Sequence, residues 1–169
     1  MRLRAANTKD FPLVKRLFKE GRVHQNSLGF VQWLPGYPSE ELFAADCSLQ
    51  RGFIVEIEEK DAGYVVIDLN GDPEYDRLSN IWKLSGPYAV VHRMVLSDQF
   101  RGKGLGAKLL YLIEEHVKKA GISIIKFDTG LKNTPMQKLL ARNGYQNLGA
   151  FNFVWGPRYA YEKGLIISQ

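Results

Sequence analysis

One stretch constrains this chain more than any other: Val95-Leu96-Ser97-Asp98-Gln99-Phe100-Arg101-Gly102-Lys103-Gly104-Leu105-Gly106. A strand pattern ends, three glycines alternate with other residues, and a helical pattern starts at once. Glycine lets the backbone turn tightly and presents N–H groups without a Cβ in the way. The helix start adds unpaired donors and the positive end of a dipole, which together make an anion site. Arg101 and Lys103 bring full positive charges to the same turn. These features converge on a strand–turn–helix unit that binds phosphate.

The pattern around that unit predicts a mixed α/β chain. Residues 1–6 read as a short strand, and Thr8 is expected to cap a helix with Phe11, Val14, Leu17 and Phe18 on one face, ending near Gly21. An aromatic, proline-punctuated loop covers 27–38. Ser39 then starts a second helix whose expected buried stripe is Leu42, Ala45 and Leu49. Strands are predicted at about 52–58, 62–69 and 88–96, with turn signals between 70 and 87. A long helix follows over about 105–120, then a strand at 122–129. Thr134-Pro135-Met136-Gln137 reads as a capping box opening a helix that packs through Met136, Leu139 and Leu140. Two strands around Gly156-Pro157 finish the chain. The order mixes antiparallel hairpins with one βαβ crossover.

With 169 residues, the chain is expected to form one domain spanning 1–169, since a domain takes roughly 100–200. Its 45% hydrophobic and 24% charged residues exclude a disordered or fibrous chain. No apolar run approaches the roughly 20 residues of a membrane span, and Met1-Arg2-Leu3-Arg4 opens no signal peptide. The single cysteine, Cys47, excludes an internal disulfide and suits a cytoplasmic setting. It reads as a small buried hydrophobe rather than a nucleophile. The net charge of +5 favours an anionic ligand, but no block of five like charges forms a nucleic-acid arm. His24, His92 and His116 are far apart and lack a cysteine pair, so no metal site is expected.

The glycines alone leave the phosphate compound open. Gly102-Lys103-Gly104-Leu105-Gly106-Ala107 also satisfies the dinucleotide fingerprint, and Asp128 sits where a ribose-binding acid would be placed. That would make a nucleotide-dependent oxidoreductase. Against it, the motif follows antiparallel strands, and too little chain remains for a doubly wound sheet. The Walker pattern fails because no Gly-Lys-Ser/Thr closes the loop.

Arg101-Gly102-Lys103-Gly104-Leu105-Gly106 resembles the Q/R-x-x-G-x-G/A signature of the GNAT acetyltransferase superfamily, which binds the pyrophosphate of acetyl-CoA. His92 to Leu96 resembles the family's fourth strand, and Asn133 with Gly144-Tyr145 resembles its asparagine–glycine–aromatic segment. The resemblance implies a mixed, mostly antiparallel sheet with helices on both faces. It implies that acetyl-CoA is the cosubstrate, held by backbone groups of Met94, Val95 and Leu96, by the loop Arg101–Gly106, and by Asn133 near the thioester. It further implies an N-acetyltransferase acting on a small-molecule or peptide amine by direct transfer, with no nucleic-acid or membrane partner and with a homodimer compatible. The family's general-acid tyrosine position holds Leu140 here. That vacancy keeps open a non-catalytic acyl-CoA-binding module, although a thiol with a pKa of about 8.5 leaves without much help.

Transfer to an amine requires removal of a proton from an alkylammonium with a pKa of about 10.4. His92 is the candidate base, because it shares a strand face with Val90 and Met94 and imidazole titrates near neutral pH. Asp128 is the second candidate, with a structural strand-end role as the competing reading. Asp68, Asp72, Glu74 and Asp76 would either attract a cationic amine or simply build turns. Trp33, Tyr37, Tyr75, Trp82 and Tyr88 would either wall an acceptor pocket or fill the core.

Overall fold

The computed structural model describes residues 1–167. In chain order the elements are β1 (Arg2–Ala5), α1 (Phe11–Ser27), α2 (Glu40–Ser48), β2 (Gly52–Ile57), β3 (Lys60–Asp68) and α3 (Pro73–Arg77). There follow β4 (Ala89–Leu96), α4 (Leu105–Lys119), β5 (Ile124–Gly130), α5 (Thr134–Arg142), β6 (Gln146–Phe153) and β7 (Gly156–Gly164). The seven strands form one mostly antiparallel sheet in the order β1-β2-β3-β4-β5-β7-β6. β4 and β5, joined through α4, are the parallel pair, with Ala89 opposite Ile125 and Val90 opposite Lys126. No helix among the described residues is long and apolar enough to cross a membrane.

The chain divides into two compact units, and β4 and α4 each contribute residues to both. The first comprises Met1–Ile67 and Arg93–Leu109. Its core joins Val14, Leu17 and Phe18 of α1 to Phe43 of α2, Ile54 of β2, Tyr64 and Val66 of β3, and Val95 of β4. Each fully buried side chain of this size contributes about 1.5–3 kcal/mol.

Helix α1 differs from the sequence expectation at both ends. Asn7, not Thr8, is the cap: its side chain accepts from Lys9 N at 3.0 Å and opens a short 3-10 turn over Thr8–Asp10. The helix then passes through Gly21 to Ser27. A Cβ at Gly21 would lie 2.7 Å from the ring of Trp33, so the missing side chain makes room for packing rather than a stop. Trp33 uses that space to rest on Phe18, with ring centroids 4.5 Å apart. In α2, Ser39 caps as expected, accepting from Leu42 N at 3.2 Å. The buried positions are Phe43 and Asp46, however, and Leu49 of the expected stripe is 62% exposed. The helix is turned so that Asp46 meets donors from Arg51, Tyr64 and Arg93, a demand that apolar periodicity does not register.

The second unit comprises Asp68–His92 and Leu110 onward. One of its cores gathers Tyr75, Val90, Phe153 and Ala160, edged by Leu78, Ile81, Trp82 and Tyr88. The stretch expected to consist of turns contains α3 and a 3-10 turn at Ser79–Ile81. Asp72 caps α3, accepting from Glu74 N at 2.8 Å, and Pro73 occupies the helix start. Helix α5 is capped by Asn133, which accepts from Met136 N at 3.4 Å, instead of by Thr134. Gln137 reaches back to the carbonyls of Gly130 and Leu131, so it ties α5 to the preceding turn.

Candidate functional site

The glycine turn belongs to the first unit and is held from behind. Ser97 N donates to Ala62 O at 2.8 Å, and Phe100 N and Arg101 N both return to Ser97 O. Glu20 of α1 accepts from Asp98 N at 3.1 Å. Arg101 donates to Leu96 O at 2.9 Å and pairs with Asp98, so its guanidinium staples the turn to the end of β4. Gly102 and Gly104 then take φ of +77° and +72°, where a side chain is strained. A Cβ at either would meet nothing within 4 Å among the described residues. Their backbone therefore faces open space at the start of α4, with Lys103 exposed between them. A helix N-terminus beside left-handed glycines and an exposed lysine is a setting that favours an anion. His24 on α1 is held below its ordinary pKa by burial and by the nearby Arg101 charge, so it adds no second cation at neutral pH.

Upstream in β4, Val95 is buried in the core, and Met94 and Leu96 are half-buried. Arg93, just before them, has φ of +55°, which interrupts simple alternation along the strand. The same-face expectation for His92 and Met94 assumed an unbroken strand. His92 meets the ring of Tyr75, and Val90 belongs to the same core cluster as Tyr75.

His92 lies in the second unit, inside a polar and aromatic cluster. Its Nε2 is 3.1 Å from Asp72 Oδ2. The rings of Tyr75 and Trp155 stand edge-on to the imidazole at centroid distances of 5.9 and 6.2 Å. Tyr75 is fully buried; its hydroxyl donates to Asp128 Oδ1 at 2.7 Å, and its ring stacks on Trp82 at 4.9 Å. Burial first, and then the Asp128 charge, push that phenol well above its ordinary pKa, so it stays protonated. Asp128 Oδ2 also accepts from Trp155 Nε1 at 3.2 Å and lies 3.6 Å from Arg158 Nε. Both oxygens of Asp128 are thus engaged by neighbouring side chains. Burial alone would raise the Asp72 carboxyl, but the hydrogen bonds from His92 and from Glu74 N outweigh it and hold the group below its ordinary pKa.

The other expected acids and aromatics act within the fold. Asp68 accepts from Asn70 N, Glu74 pairs with Arg77 and Asp76 accepts from Tyr88 OH. Trp33 and Tyr37 pack on Phe18, and Trp82 and Tyr88 flank Lys126. Leu140 is fully buried, so that position offers no acid. Sequence reasoning missed Trp155, as well as Asp72 as the partner of His92. Asp72-Pro73 did carry a legible signal, since an aspartate before proline is a helix start as well as a turn.

A family model described as the acetyltransferase (GNAT) family matches residues 18–145. The chain belongs to that family. A GNAT-family acetyltransferase from Streptococcus agalactiae, known from its crystal structure, superposes with a TM-score of 0.84 at 28% identity, over 96% of this chain and 94% of that one. An N-acetyltransferase of Methanocaldococcus jannaschii is 30% identical over 94 residues. That match takes in 56% of this chain and 38% of the archaeal protein, so this GNAT chain spans well under two-thirds of that relative. An aminoglycoside acetyltransferase in complex with coenzyme A and kanamycin has a TM-score of 0.74 over 96% of this chain and 94% of that one. At 16% identity, that likeness is one of fold.

Proposed function

We propose that this GNAT protein moves an acetyl group from acetyl-CoA to a primary amine by direct transfer in a ternary complex. The observation that carries the reading is the pair of left-handed glycines, Gly102 and Gly104, open to ligand at the start of α4. Their N–H groups, with Lys103, would hold the pyrophosphate, while Arg101 keeps the turn in place. Met94, Val95 and Leu96 would supply backbone partners to the peptide-like arm, and Asn133 would lie toward the thioester. The cosubstrate supplies an activated acetyl group on a thiol leaving group. The complex of the aminoglycoside acetyltransferase with coenzyme A and kanamycin supports both the cosubstrate and an amine acceptor.

His92 is the base in this reading. Donation of Nε2–H to Asp72 fixes the tautomer and leaves the Nδ1 lone pair for the ammonium proton, directly or through water. Tyr75 and Trp155 hold the ring edge-on and limit its rotation. Backbone amides near Met94 stabilise the developing oxyanion. With Leu140 buried, thiolate departs without a tyrosine acid.

The test is release of free thiol from acetyl-CoA against a panel of small amines, polyamines and peptide N-termini. Amine-dependent release supports an enzyme. Saturable binding of CoA with no release for any amine would instead make the chain an acyl-CoA-binding module.

A further inference from the structure

Asp46 of α2 is fully buried and gathers three donors: Arg51 Nε at 2.9 Å, Tyr64 OH at 2.9 Å and Arg93 Nη2 at 2.8 Å. Arg93 Nη1 donates to Tyr37 OH at 3.1 Å, and Arg93 Nε is buried with no hydrogen-bond partner among the described residues. The backbone of Arg93 is left-handed, φ +55°, in the middle of a strand. A long side chain holds that conformation only where its surroundings force it.

For stability alone this is a poor arrangement. A buried ion pair with an orphaned nitrogen on a strained residue is readily matched by a packed apolar side chain on extended backbone. Its distinctive effect is on direction. A left-handed residue within a strand re-aims the residues after it. Here those residues are Met94, Val95 and Leu96, which lead straight into the turn pinned by Arg101. The donors on Asp46 come from β3, from the residue preceding β2 and from β4, so the carboxylate ties α2 to three points of the unit.

We propose that Asp46, acting through the Arg93 guanidinium, is a positioning residue that holds the kink in β4 and so sets where the Met94–Leu96 amides face for the cosubstrate. This inference rests on the acetyl-CoA reading above. It concerns the backbone, so it separates glycine from alanine at position 93. Both remove the guanidinium, but glycine takes φ +55° without strain, whereas alanine gains by relaxing to extended backbone.

The experiment compares Arg93→Ala and Arg93→Gly, each also in an Asp46→Asn background so that no uncompensated carboxylate prevents folding. The readouts are CoA affinity by calorimetry and hydrogen exchange of the Met94–Leu96 amides in the free protein. Arg93→Ala is expected to weaken CoA binding by about tenfold or more and to change exchange at those amides, while Arg93→Gly stays within about threefold of the parent. Equal affinity and equal exchange in the two variants would overturn the positioning role, since lost packing makes glycine at least as damaging as alanine. A parent protein that binds no CoA would overturn the acetyl-CoA reading, whereas equal exchange at the Met94–Leu96 amides in the two variants would overturn the clamp whatever the ligand.

Discussion

Asp72 Oδ2 lies 3.1 Å from His92 Nε2, and Asp72 Oδ1 simultaneously caps α3 by accepting from Glu74 N at 2.8 Å. One carboxylate thus fixes both a helix start and the orientation of an imidazole. The imidazole in turn stands edge-on to the rings of Tyr75 and Trp155.

His92→Gln is expected to slow acetyl transfer by about 10²–10⁴-fold and to leave CoA affinity nearly unchanged. The parent rate should rise with pH through one ionisation, whereas the variant should follow only the titration of the amine. Transfer against pH, normalised to the folded fraction, measures this. Normalised rates within about twofold of each other would assign His92 to packing.

The Asp72 carboxyl is held below its ordinary pKa in the fold, so it binds a proton less readily there than in the unfolded chain. Its stabilisation is therefore fully present above the unfolded value of about 3.9 and is lost as pH falls from there through the folded value. Asp72→Asn should be less stable than the parent at neutral pH, and the gap should shrink below about pH 4. Urea denaturation of both proteins at pH 7 and pH 3 checks the sign. A gap that stays constant would remove the His92–Asp72 pairing as its source.

Gly104→Val places a branched side chain at φ +72° on the open face of the turn. A Cβ there meets nothing within 4 Å among the described residues, so the fold should survive with a modest loss from backbone strain. CoA affinity should fall by at least about tenfold, roughly 1.4 kcal/mol. Calorimetry on the folded variant is the measurement, and unchanged affinity would move the phosphate site elsewhere.

The turn from Arg101 to Gly106 was legible because its chemistry is local: glycine, charge and helix start lie side by side in the sequence. The succession of strands and helices and the crossover were legible for the same reason, through alternating patterns and turn residues, whereas the place of β7 between β5 and β6 was not. Helix α1 was misread at Gly21 because its meaning depends on Trp33, which lies in the following loop. Asp46 escaped notice because a buried carboxylate is explained only by Arg51, Tyr64 and Arg93, scattered along the sequence. The partner of His92 was hidden in the same way, twenty residues upstream in a stretch whose turn residues also cap a helix.

Close approach of β3 and β4 gives a stability test independent of function. A Cβ on Gly63 would lie 2.4 Å from the Val95 carbonyl oxygen. Gly63→Ala must push the strands apart at the end of β4, at a cost of about 1–3 kcal/mol. The urea midpoint should fall with the denaturant slope unchanged. A variant as stable as the parent would contradict the packing described.

Which ligand protects the fold decides between acetyl-CoA and a dinucleotide at the glycine turn. Thermal melting in rising acetyl-CoA should show the melting temperature climbing with concentration. The stabilisation should approach about 2.7 kcal/mol at a hundred times the dissociation constant, with NAD and NADP producing no shift. A shift with the dinucleotides and none with acetyl-CoA would contradict the acetyl-CoA reading of the glycine turn.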